Sequence, residues 1–225
     1  MAGKPLTRLL GATATLGLAA GLLCAAIVGI FCIAPTEQTM GQAQKILYVH
    51  VAVAWFSLAA CLAMGLAAIA YLATRKLAWD HLSFAAAEVG WLCCTLTLIT
   101  GSLWARTAWN TWWTWEPRLT AVFVLWTLYS GYLLVRSTVK EPHGAARAAA
   151  VLAIVGLLDL PLVLLATRWF RGMHPPAPEM DAAMSAVLWL SILGFGAFFA
   201  LLLVRRKRLL ELESLAATLE EERIG

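Results

Sequence analysis

An all-α membrane bundle of six transmembrane helices is the fold class this sequence predicts. Three observations carry that expectation: an apolar-heavy composition, six apolar runs of spanning length, and no alternating apolar and polar segments of the barrel kind. The chain is 61% hydrophobic and 13% charged, where soluble domains run near half and a quarter. With a mean hydropathy of +0.78 over 225 residues, too little polar surface would remain to cover a water-soluble core. This excludes a soluble enzyme, a disordered chain and a secreted disulfide scaffold. One integral membrane domain over residues 1–225 is expected, with lipid around it and no nucleic-acid partner.

The spans are Leu9 to Ile33, Ile46 to Ala73, Leu82 to Trp104, Leu119 to Val135, Ala148 to Thr167 and Ala182 to Val204. The first follows Lys4 and Arg8 like a signal peptide, but its apolar run is about twice a signal's 7–15 residues, so it reads as a retained span. Lys and Arg set the orientation. The N-terminus, the second and fourth loops and the tail hold twelve of the seventeen, so both termini are expected to be cytoplasmic. The other side holds Lys45, Arg106, Arg118, Arg168 and Arg171. The tail Leu209 to Arg223 reads as a short helix beyond the basic anchor Arg205 to Arg208, either a solvated end or a docking helix.

The five cysteines all fall within spans and read as packing residues. None forms a Cys-x-x-Cys-His pattern, so covalent haem attachment to this chain is not expected. No phosphate-binding loop, Gly-x-Ser-x-Gly or His-Glu-x-x-His motif is present, and the chain does not read as an enzyme.

Eleven tryptophans are present, and five lie between Trp104 and Trp115 in the second external loop. On a helical wheel Trp109, Trp112, Trp113 and Glu116 share one arc, with Trp115 at its edge and Thr107, Asn110, Thr111, Thr114 and Arg118 opposite. That pattern predicts a short external amphipathic helix lying in the membrane surface. Either the indoles are an interfacial belt, or they form a platform for a flat apolar ligand.

Of four histidines, His81 and His143 fall in cytoplasmic loops and read as solvated, whereas His50 and His174 lie on the external side, flanking the tryptophans. Haem fits that combination: its iron accepts imidazole on both faces, its macrocycle needs aromatic cover, and its propionates need cations such as the external arginines. A bare metal would want three or four ligands. Two acids, Glu88 and Asp159, lie inside spans, where charge is costly. An interhelical hydrogen bond is the favoured reading for Asp159, beside the ladder-breaking Pro161, with pocket support the alternative; Glu88 is expected to snorkel.

The run Trp109-Asn-Thr-Trp112-Trp113-Thr-Trp115-Glu-Pro-Arg118-Leu-Thr resembles the tryptophan-rich signature of haem-handling membrane proteins. With six spans on so short a chain, the whole sequence is similar to the haem exporter protein C (CcmC) family of cytochrome c maturation. His50 in Tyr48-Val-His50-Val-Ala-Val-Ala-Trp55, and His174, are placed like that family's two external haem-ligand histidines. The sequence departs from the family pattern at Ala52 (usually Pro), Asn110 (Gly), Glu116 (Asp) and Met173-His174-Pro175, where Leu-His-Gln is usual. The resemblance implies a bacterial inner-membrane protein that holds non-covalent haem b at its periplasmic face. His50 and His174 would be axial ligands, and Trp109, Trp112, Trp113, Trp115 and Arg118 would hold the macrocycle. The implied partners are the periplasmic haem chaperone CcmE and an ABC-type complex of CcmA and CcmB with the small CcmD. The rivals are a b-type haem anchor of a redox enzyme and a haem transporter using its own bundle.

Overall fold

A computed structural model describes residues 3–170, 172–174 and 180–224. Within them the chain is helical, and six helices are long and apolar enough to cross a membrane. The protein is a multi-pass membrane helix bundle. Helix α1 (Gly3–Val28) closes in a π-helical turn, Gly29–Ile33. Next come α2 (Lys45–Thr74), α3 (Leu77–Trp109), α4 (Pro117–Thr138), α5 (Pro142–Trp169) and α6 (Ala182–Ile224).

Local chemistry sets the boundaries. Arg75 and Asn110 end α2 and α3 in the left-handed conformation, at φ 57° and 56°. Pro117 and Pro142 open α4 and α5 at the first helical position, where a missing N–H costs nothing. Glu141 caps α5 by accepting from the N–H groups of His143 and Gly144. In the turn between α1 and α2, Glu37 accepts from the N–H groups of Thr39 and Met40. The Met40 N–H, chiefly, holds its carboxyl below the ordinary carboxylate value.

The main core joins α2, α3, α4 and α5 through small side chains (Ala68, Ala86, Ala87, Ala149, Ala150, Ala153) around Leu125, Tyr129 and Tyr132. In a bilayer, close backbone approach through small residues does the work that hydrophobicity does in water. Cys61, Cys93 and Cys94 are buried in the packing, and Cys24 and Cys32 are exposed; all five are free thiols.

Three sequence expectations change here. The tail is no separate short helix: α6 runs unbroken for 43 residues, because no Gly or Pro stands between Val204 and Leu209 to stop it. Glu88 does not simply snorkel. It pairs with Arg206 of α6, whose Nε and Nη2 lie 2.6 and 3.0 Å from its oxygens. A second pair joins Asp80 on α3 to Arg136 on α4 at 3.0 Å, with side chains 5% and 12% exposed. Asp159 is buried, and its Oδ2 has no hydrogen-bond partner among the described residues, so the interhelical bond expected there is not made by that oxygen.

Candidate functional site

The tryptophan-rich segment is not a surface helix. Helix α3 carries only its first part and stops at Trp109; residues 110–116 are irregular, and α4 starts at Pro117. Two residues force this. Asn110 takes a left-handed conformation, which Gly adopts freely and Asn tolerates best of the rest. Glu116 precedes a proline, which disfavours helical backbone at that position. Arg106 clamps the corner, donating to the carbonyl and side-chain oxygens of Asn110, with its guanidinium 5.9 Å from the Trp112 ring centre. The indoles consequently splay instead of lining one arc.

Beneath this loop lies a cavity of about 400 Å³. His50, Trp109, Trp112, Trp113, Arg118 and His174 all line it. Trp115 does not. It is 72% exposed and stands edge-on to Trp113 at 5.6 Å and to Phe123 at 6.1 Å, so it buttresses the wall from outside. Sequence reasoning missed three further tryptophans on the cavity wall: Trp55 from α2, Trp104 from α3 and Trp189 from α6. Trp104 stood in the run itself and Trp55 closes the motif around His50, whereas nothing local marked Trp189. Of the remaining external arginines, Arg106 is engaged with Asn110 and Arg168 is exposed at the end of α5. Arg171 and the Pro175-Pro176 pair lie outside the described residues.

His50 lies in the second turn of α2, and its Nδ1 lies 3.0 Å from Thr100 Oγ1 on α3. The Thr100 hydroxyl donates to the Leu96 carbonyl at 2.6 Å, so towards His50 it accepts. The network thereby assigns the proton to Nδ1 and leaves Nε2 with its lone pair. Gly101 provides the seat: a Cβ there would lie 3.0 Å from His50 Cε1. His174 approaches from the segment after α5 and meets Trp109 edge-on at 6.3 Å, and Trp109 in turn meets Trp104 at 4.9 Å. Trp104 and Trp113 each keep a buried Nε1–H without a partner among the described residues. With the Arg118 guanidinium, these give the cavity donors for an acidic ligand.

His81 and His143 lie at the opposite end of the bundle. His143 is exposed but bonded to the Tyr71 hydroxyl at 2.9 Å, and His81 is half-buried, so neither is simply solvated.

A family described as "Heme exporter protein C" matches this sequence over residues 4–220. The chain belongs to the haem exporter protein C family. Among curated relatives, Heme exporter protein C of Bradyrhizobium diazoefficiens is 36% identical over 185 residues, covering 80% of this chain and 70% of the relative. Heme exporter protein C of Paracoccus denitrificans is 33% identical, covering 84% and 82%. A putative cytochrome c biosynthesis ccmC-like mitochondrial protein of Arabidopsis thaliana is 32% identical, covering 84% and 74%. For a haem exporter protein C chain, the cavity joins the two parts of the molecule that the resemblance singled out, the flanking histidines and the tryptophan run.

Proposed function

We propose that this chain holds haem as cargo in the cavity beneath the tryptophan loop and hands it on during cytochrome c maturation. It is a transfer component, with bond-forming chemistry left to its partner. The observation that carries the reading is His50: its Nδ1–H is engaged by Thr100, which leaves Nε2 as an iron donor on the wall that His174 also lines. Ligating imidazoles are held this way by their second nitrogen. Among the described residues no three His, Cys, Asp or Glu side chains gather for a bare metal ion, whereas an axial pair needs only two.

In this reading, haem b is bound non-covalently, with His50 and His174 as axial ligands. Trp109, Trp112 and Trp113 cover the macrocycle, Trp115 braces Trp113, and Arg118 with the two indole N–H groups meets the propionates. The exposed Trp112 and Trp115 offer a docking edge to the periplasmic chaperone CcmE. An ABC-type complex of CcmA, CcmB and CcmD would act from the remaining faces. The Lys and Arg distribution supports cytoplasmic termini and a periplasmic cavity.

The test is an absorption spectrum of the purified, haem-loaded protein. Bis-imidazole coordination gives a low-spin spectrum. His50→Ala and His174→Ala should each shift it to high spin and be partly restored by added imidazole, and the double variant should lose haem. A wild-type spectrum in either single variant overturns the assignment of that residue.

A further inference from the structure

Glu116 ends the tryptophan loop, and its backbone is tied to α4 by its carbonyl, which accepts from the Thr120 N–H at 3.0 Å. Its side chain crosses to a segment 57 positions further along. There Oε2 accepts from the Met173 N–H at 2.6 Å and from the His174 N–H at 3.4 Å. The two strands of chain lie so close that a Cβ on Gly172 would stand 2.5 Å from Oε2 and 3.1 Å from Cδ. A carboxylate, two backbone donors and a residue without a side chain therefore make one joint, directly at the backbone of a cavity-lining histidine. Charge-assisted bonds to backbone N–H groups are short and directional, so they hold a loop more firmly than apolar contact does.

We propose that Glu116 is the positioning residue for His174: a carboxylate strut from the tryptophan loop that sets where the second histidine stands relative to the first. The inference rests on the haem-holding reading above. Glu116 touches no ligand in this role and acts through the 172–174 backbone. His50 is positioned separately, by Thr100 and Gly101, so the two axial positions have independent supports.

The experiment compares Glu116→Ala, Glu116→Gln, Gly172→Ala and His174→Ala in the full-length protein, by haem spectrum and by tryptic cleavage after Arg168 and Arg171 without haem. Glu116→Ala should move the spectrum toward that of His174→Ala, restorable with imidazole, and speed cleavage several-fold. Glu116→Gln keeps an acceptor oxygen and should stay near wild type in both. Gly172→Ala puts a Cβ where Oε2 stands, so the carboxylate or the segment must move aside and the joint opens; it should shift spectrum and cleavage in the same direction as Glu116→Ala, and it carries the test if Glu116→Ala fails to accumulate. Added to His174→Ala, Glu116→Ala should change the spectrum no further; added to His50→Ala, it should act in full. Wild-type spectrum and cleavage in Glu116→Ala, or a further spectral change in the His174→Ala background, overturns the strut. If His174→Ala itself leaves the spectrum unchanged, the haem reading of His174 fails, while the cleavage arm still reports on the strut.

Discussion

Replacing Thr100 with Val tests whether the haem site depends on a single hydroxyl that never touches the ligand. Val matches Thr in shape, so the α2–α3 packing is kept and only the acceptor 3.0 Å from His50 Nδ1 disappears. Two losses follow. The Nδ1–H becomes a poorly satisfied donor in a half-buried position, costing about 1–3 kcal/mol, and Nε2 is no longer held as the unprotonated nitrogen. Loss of such a partner costs a metal-ligating imidazole about 10- to 100-fold in affinity, or about 1.4–2.8 kcal/mol at 1.4 kcal/mol per tenfold. The two estimates agree, which makes the expected effect specific. The assay is haem transfer from the loaded protein to excess apomyoglobin, followed in the Soret band. Thr100→Val should release haem about 10- to 100-fold more readily, and Thr100→Ser, which keeps the hydroxyl, should stay near wild type. Wild-type retention in Thr100→Val, beside a large loss in His50→Ala, would refute the tautomer argument.

Three further outcomes are expected. Trp112→Ala with Trp113→Ala should weaken chaperone binding and haem retention by about 2–4 kcal/mol, measured by pull-down and spectrum. Trp79→Ala, outside the cavity lining, is the proper control, and Trp189 is not, because it stands on the cavity wall. Arg136→Met leaves Asp80 buried and unpaired, so the melting temperature in detergent should fall, by about 3–5 kcal/mol in stability terms, with an unchanged haem spectrum in the protein that remains folded. Reporter fusions after Arg75 and Arg208 should read cytoplasmic and one at Asn110 external; a cytoplasmic signal at Asn110 would place the cavity in the wrong compartment.

The six spans were legible because each is a long apolar run, and burial in lipid needs no partner to be identified. The ends were partly legible. Glu116-Pro117 carried the signal that helix could not run through the tryptophan segment, and the wheel passed over it because its arcs looked amphipathic. His50, His174, Trp109, Trp112, Trp113 and Arg118 were readable as a set from type and side of the membrane, and the fold brings all six to one cavity. Trp55 closes the motif around His50 but carried no sign of being a wall residue, and Trp189 stands on an ordinary apolar span; both join the site only through helix packing. Asp80 and Arg136, 56 positions apart, likewise become partners only when α3 meets α4. Glu116 was noticed as a departure from Asp, but its role depends on where the 172–174 backbone comes to rest.

Helix α6 has a mechanical consequence. At about 1.5 Å per residue its 43 residues make a rod roughly 65 Å long, about twice the hydrocarbon thickness of a bilayer. Near one end, Leu188, Trp189 and Ile192 form part of the cavity wall. Further along, the Arg206–Glu88 pair fastens the rod to α3. Beyond it Leu210 is still buried, whereas leucines 209, 212, 215 and 219 are exposed. One unbroken helix therefore joins the cavity wall, the Arg206–Glu88 pair and the exposed leucines of the tail. Whatever docks on those leucines thus sits on the same continuous helix that carries the indole of Trp189 into the cavity wall.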